Sequence, residues 1–232
     1  MFKILQKTWH AGTVTKPYPR GAGTRPARTV SVSRAAAETC PTGAITLDPP
    51  ALDYGRCIFC GACGDASDFE LAARDRQALV VGPEVPPVSP ASIKREIHRV
   101  LGRSLAIREV DSGSCNACEL EIVALNNPVY DIERLGIHFV ASPRHADMLL
   151  VTGPVTRNME MALRKTFDAT PHPRVVAAAG ACGISGGIFG ASYASIGAVD
   201  RVIPVDVYIP GCPPRPEALL YGILLAVGRI VA

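Results

Sequence analysis

Eight cysteines are the residues through which this chain can do chemistry, and they fall into two sets of four. Cys40, Cys57, Cys60 and Cys63 form the first set. Cys115, Cys118, Cys182 and Cys212 form the second, and none is left over. Thiolates in fours ligate soft metals, and each set has the spacing of an iron–sulfur site. The pattern predicts electron transfer through two [4Fe–4S] clusters, with these eight cysteines as the metal and cofactor ligands. Structural zinc is the competing use. Zinc sites pair two close-spaced ligand knuckles, whereas in the first set three cysteines share one run and the fourth sits apart beside Pro41.

The run is Cys57-Ile58-Phe59-Cys60-Gly61-Ala62-Cys63, preceded at a distance by Cys40-Pro41. In two-cluster ferredoxins, three cysteines of one run and the Cys-Pro of the other bind each cluster. One such set is complete here. Counting back from Cys40, the positions of the other set hold Val30, Ser33 and Ala36. Counting forward from Cys63, the fourth position holds Ser67, followed by Asp68. The module resembles a bacterial-type ferredoxin reduced to one cluster. Gly61 lets the backbone wrap closely and leaves amides free to bond sulfur.

The elements that must hold these ligands come from a chain of 232 residues, 48% hydrophobic and 19% charged, which excludes a disordered protein and supplies a real core. Net charge is only +3, but residues 1–37 carry seven Lys/Arg and no Asp or Glu. Such an arm suits nucleic acid, acidic headgroups, an acidic protein partner or plain solvent. No signal peptide is visible, and the longest apolar stretch, 218–228, is shorter than the ~20 residues that span a bilayer. A cytoplasmic setting follows as the expectation, where thiols stay reduced and serve metals rather than disulfides.

Two linkers divide the sequence. Residues 11–28 are rich in Gly, Pro, Thr and Arg, and residues 82–90 contain four prolines, which exclude helix and sheet interior. The predicted organisation is a basic arm over 1–28, a cysteine module over 29–81, a Pro-rich linker over 82–90 and a larger domain over 91–232. Within the module, 29–33, 44–47 and 78–81 read as strands. Apolar periodicity predicts a helix over 92–101. Beyond it, strands are predicted over 105–110, 137–141, 148–153, 175–180 and 202–209, and helices over 117–126, 157–168 and 215–227. Alternation of this kind predicts an α/β fold with a parallel sheet covered on both faces. Sites in such sheets form beyond the carboxyl ends of the strands. Cys115, Cys182 and Cys212 each follow a predicted strand, and Cys118 lies one helical turn past Cys115, so one sheet edge should gather all four.

The second set sits in Ser112-Gly113-Ser114-Cys115-Asn116-Ala117-Cys118-Glu119-Leu120-Glu121, Gly180-Ala181-Cys182-Gly183 and Pro210-Gly211-Cys212-Pro213-Pro214-Arg215-Pro216. With Asn127-Pro128-Val129-Tyr130-Asp131-Ile132-Glu133 and Val151-Thr152-Gly153-Pro154-Val155, these segments resemble the small subunit of membrane-associated, energy-converting [NiFe] hydrogenases and formate hydrogenlyases. They are similarly close to the homologous B-type, 20 kDa subunit of respiratory complex I. The complex I subunit has two adjacent cysteines where this chain has Cys115-x-x-Cys118, which favours the hydrogenase side. The chain ends soon after its last predicted helix, without the extension in which soluble uptake hydrogenases carry further clusters. Residues 1–81 resemble the ferredoxin-like subunit of the same complexes, through Met1-Phe2-Lys3-Ile4-Leu5 and Thr15-Lys16-Pro17-Tyr18-Pro19.

The resemblance implies a flavodoxin-like sheet of four strands or slightly more, preceded by a small α+β ferredoxin-like domain. It implies that Cys115, Cys118, Cys182 and Cys212 hold the cluster nearest the active site of a separate large subunit. This chain would then be a non-catalytic relay with no catalytic residue of its own. Its partners would be that large subunit and the membrane-arm subunits, with no nucleic acid, on the inner face of the cell membrane. Glu119 and Glu121 flank the second set and could pass protons, although charge at a helix N-terminus accounts for both more simply. The five histidines show no ligand spacing to a cysteine, and the Gly-rich stretch 180–190 matches neither a phosphate loop nor a dinucleotide fingerprint. Two other functions remain open: a complex I-like subunit serving quinone, and a non-redox scaffold with structural metal.

Overall fold

The computed structural model describes residues 15, 34–48, 50–63 and 104–229. Most of the basic arm, the Pro-rich linker, the predicted strands at 29–33 and 78–81, and the predicted helix at 92–101 lie outside the described residues.

Among the described residues, the cysteine-rich N-terminal part holds helix α1 (Arg34–Thr39), followed by strands β1 (Ile45–Leu47) and β2 (Pro50–Leu52). The strands form an antiparallel hairpin in which Ile45 faces Leu52. Ala36, at one of the vacated ferredoxin positions, is buried, as are Ala44 and Ile45.

The second domain is built on β3 (Leu105–Asp111), β4 (Ile137–Phe139), β5 (Met148–Thr152), β7 (Val175–Ala179) and β9 (Val207–Ile209). Their order across the sheet is β4-β3-β5-β7-β9, and every pairing is parallel. Renumbered within the sheet, that is 2-1-3-4-5, the flavodoxin-like order. The remaining strands, β6 (Val155–Thr156) and β8 (Ser195–Gly197), pair antiparallel beside it.

All five residues of β5 and all five of β7 are buried. A strand covered on both faces reads as a continuous apolar run rather than an alternating one. Alternate residues still point to opposite faces. Met148, Leu150, Ala177 and Ile209 pack with helices α2 (Ala117–Ala124) and α5 (Pro216–Ala226). Leu149, Val151, Val176 and Ala178 pack with Leu163 of helix α3 (Arg157–Ala169) and with Ile184 of the short helix α4 (Gly180–Ser185).

The sequence predicts a strand over 202–209, but only Val207–Ile209 is one. Val199–Arg201 is a 3-10 turn, and the amides of Val202 and Ile203 bond back to the Val199 carbonyl. Pro204 then lacks the N–H a ladder needs. No helix among the described residues is long and apolar enough to cross a membrane. Thr15 donates to the Pro128 carbonyl at 2.9 Å, touching the arm to this domain.

Leu150 and Ile223 are fully buried, whereas Leu120 is 64% exposed. Leu150→Ala or Ile223→Ala should cost about 2–5 kcal/mol in urea unfolding of the full chain, and Leu120→Ala within about 0.5 kcal/mol of nothing.

Candidate metal centres

Each cysteine set converges. Cys115 follows β3, Cys118 lies in the first turn of α2, Cys182 lies in α4 directly after β7, and Cys212 follows β9. Because β3, β5, β7 and β9 run parallel, their carboxyl ends share one sheet edge, and β3 and β5 flank the point where the strand order reverses. The loop carrying Cys115 is tied down tightly. Ser112 is fully buried, and its hydroxyl donates to the Thr152 carbonyl at 2.6 Å, with the Gly153 carbonyl 3.0 Å away. Asp111 Oδ1 accepts from the Gly113 amide at 2.8 Å and the Ser114 amide at 2.7 Å.

Two glycines cradle the sulfurs. A Cβ on Gly180 would lie 2.8 Å from Cys118 Sγ, and one on Gly187 would lie 2.8 Å from Cys182 Sγ. Both have positive φ, +82° and +54°, so backbone rather than side chain meets the sulfur. Cys118 is buried, Cys182 half-buried, and Cys115 and Cys212 exposed, so the set has a closed floor and an open rim.

The first set lines a solvent-open concavity, Cys40, Cys57, Cys60 and Cys63 sharing it with Ile45 and Leu52 of the hairpin. The Ala44 amide donates to Cys40 Sγ at 3.3 Å and the Phe59 amide to Cys57 Sγ at 3.4 Å. Gly61 adopts φ 75° within the run. Amide donors of this kind are what tune cluster potentials.

Burial pushes the Cys57 and Cys182 thiols up to about 11 each, and the neighbouring cysteines of each set add to the rise. Burial also raises Cys118, reinforced by the charges of Glu119, Cys182, Cys212 and Cys115. Cys63 and Cys212 are raised by burial too. Burial acts on Cys40 in the same sense, but the amides of Ala44, Thr42 and Gly43 and the Thr42 hydroxyl more than offset it, leaving this thiol low. Thiols so arranged resist ionisation until cations arrive, and a coordinating metal deprotonates them outright.

The thiols of each set act on one another electrostatically, and the amide donors and glycine backbone at their sulfurs are compatible with an iron–sulfur cluster. Among the described residues, no group of three or more His, Cys, Asp or Glu is placed as it stands to hold a metal ion.

The sequence gives no signal for Glu109, and it marks Glu119 and Glu121 only as acids flanking the second set. Glu109, on β3, is raised by burial and by the charges of Glu119 and Asp111, and it accepts a 3.4 Å hydrogen bond from Thr152. Glu119 does lie in the first turn of α2, yet both its carboxylate oxygens are buried without a hydrogen-bond partner among the described residues. Glu121 is raised by burial, opposed by Arg215 and reinforced by Glu217. Nothing in the spacing of these acids signals burial, which only packing reveals.

Residues 115–226 match the family described as NADH ubiquinone oxidoreductase, 20 Kd subunit. Formate hydrogenlyase subunit 7 of Escherichia coli is 47% identical over 160 residues, which are 69% of this chain and 62% of that protein. The chain therefore spans less than two thirds of that relative's length. The probable membrane-bound hydrogenase subunit mbhJ of Pyrococcus furiosus is 48% identical over 135 residues, 58% of this chain and 81% of that protein. Among solved structures, a chain of the membrane-bound sulfane sulfur reductase, an archaeal respiratory membrane complex, is 38% identical with a TM-score of 0.49, over 60% of this chain and 76% of that one.

The raised thiols set a pH dependence for the metal-free chain. Cys57 and Cys182 rise from an ordinary 9.0 to about 11 in the folded state. The stability they contribute is fully present below about pH 9 and is lost as pH climbs through about 11, because the unfolded thiols ionise first. Urea midpoints of metal-free protein should fall across that window, and Cys57→Ala with Cys182→Ala should flatten the fall.

Proposed function

Since this chain belongs to the family of the NADH ubiquinone oxidoreductase 20 kDa subunit, we propose that it is the iron–sulfur electron-transfer subunit of a membrane-associated [NiFe] hydrogenase or formate hydrogenlyase-type complex. Cys40, Cys57, Cys60 and Cys63 hold one [4Fe–4S] cluster, and Cys115, Cys118, Cys182 and Cys212 hold the other. The observation that carries this reading is the convergence of eight cysteines into two complete sets, the second at the carboxyl edge of a parallel sheet. Its closest support outside the chain is the similarity to a formate hydrogenlyase subunit and a membrane-bound hydrogenase subunit.

Bound clusters supply one-electron carriers. The chain's own residues hold and tune them. Ser112 and Asp111 fix the Cys115 loop, Gly180 and Gly187 bring backbone against sulfur, and the Ala44 and Phe59 amides donate to the first set. The apolar floors formed by Ile45, Leu52 and the sheet edge keep bulk water from the buried thiols. Catalysis belongs to a separate large subunit. Exposed Leu120, Val123, Ile188 and Phe189 lie in the segments that carry Cys118 and Cys182, and they suit docking of that subunit over the open rim. Residues 1–81 act as a fused ferredoxin-like module joined through the 82–90 linker. The complex sits on the inner face of the cell membrane, held by its membrane-arm subunits. A quinone-serving assembly is the alternative, and the large subunit decides it: nickel-ligating cysteine pairs there mean hydrogenase.

Iron and acid-labile sulfide analysis of anaerobically purified full chain should give about eight irons, and dithionite reduction should give EPR signals from two clusters. Cys57→Ser should remove one signal and Cys118→Ser the other. Zinc in place of iron would overturn the relay.

A further inference from the structure

Two ligand sets on separate modules exchange electrons efficiently only if something fixes how the modules sit. Among the described residues, the segments carrying Cys57 and Cys182 touch. The Ser185 hydroxyl, at the end of α4, lies 3.0 Å from the Gly55 carbonyl and 3.0 Å from the Ala181 carbonyl. The Gly187 amide donates to the same oxygen at 3.2 Å. Each partner is tied to a ligand. Gly55 stands two residues before Cys57, the Ala181 carbonyl belongs to the peptide leading into Cys182, and Gly187 closes on the Cys182 sulfur.

Packing closes the seat as tightly as hydrogen bonding does. Gly55 is buried, and a Cβ there would come 2.7 Å from Ile184 Cγ2. Ile184 is a branched side chain inside the core beneath the sheet, so it has little freedom to swing aside. The turn on the other side is equally held. Asp53 Oδ1 accepts from the Gly55 amide at 2.8 Å, and the Asp53 carbonyl accepts from the Cys57 amide at 3.0 Å. Only a residue without a side chain lets the Cys57 turn lie flat on α4.

We propose that Gly55 and Ser185 form the bridge that sets the separation of the two cysteine sets and supplies a bonded route between Cys57 and Cys182. The bridge rests on the relay reading above and names its internal junction. Both are positioning residues. One electron leaves the reduced centre on one set and enters the oxidised centre on the other, with no bond made or broken and no proton moved at the seat.

Three variants of the full chain test this: Ser185→Ala, Gly55→Ala, and Gly55→Ala combined with Ile184→Ala, which reopens the space. Hydrogen exchange at residues 55–57 should rise several-fold in the first two. In fully reduced protein, EPR of the wild type should show splitting from interaction between the clusters. Ser185→Ala and Gly55→Ala should lose that splitting while iron content and each cluster's own signal stay unchanged, and the double variant should regain it. Unchanged exchange, unchanged splitting in both single variants, or no splitting in the wild type would overturn the bridge. Wild-type protein with fewer than two clusters would overturn the relay reading, and the bridge with it, whatever the exchange data show.

Discussion

Parallel pairing of the central strands is the constraint on which the other features rest. Antiparallel neighbours would send successive loops to opposite ends of the sheet. Because β3, β5, β7 and β9 all run the same way, the segments after β3, β7 and β9 emerge on one edge, and three cysteines far apart in sequence meet there. Parallel ladders need crossovers that cover both faces. Helices α2 and α5 on one side, and α3 and α4 on the other, supply that cover and bury β5 and β7 completely. Two of the covering helices also carry cysteines of the second set: α2 brings Cys118 and α4 brings Cys182. Core packing and the placement of these cysteines are thus enforced by the same elements.

Gathering thiols in this way opposes their ionisation. Burial and mutual repulsion raise Cys57, Cys118 and Cys182, and the buried carboxylate of Glu119 pushes Cys118 further in the same direction. Such a site is poorly suited to bare thiolates and well suited to a centre that brings several positive charges. Backbone is the local answer to crowding. Glycine at 180 and 187 admits the sulfurs, and glycine at 55 admits the neighbouring module. Several roles meet at α4, which is at once a core helix, the carrier of Cys182 and the element that Gly55 touches.

Much of this was legible beforehand, for identifiable reasons. The strands Met148–Thr152 and Val175–Ala179 are uninterrupted apolar runs, because burial on both faces leaves no position for a polar residue. Helix α3 carries a strong amphipathic pattern with only Leu163 fully buried, so its period shows in the sequence. The cysteine spacings are legible because residue type and spacing are local features of the sequence. The stretch 202–209 misled because Val202, Ile203 and Val205 look like strand residues, whereas Val202 and Ile203 pack in the core after a 3-10 turn and Pro204 lacks the N–H a ladder needs. Helix α4 escaped notice for a related reason: Gly180-Ala181-Cys182-Gly183 has poor helix propensity and is held by packing against β7 and the neighbouring elements.

Sequence by itself determined the eight cysteines and their division into two sets, the alternation that demands a parallel sheet, and the family, because each depends on residue type and local spacing. Tertiary structure alone decided which acids are buried, which glycines face sulfur, and that Ser185 meets Gly55 across 130 residues. Those outcomes depend on distances between segments remote along the chain. No local pattern encodes such a distance; it exists only once the sheet has closed and α4 has docked.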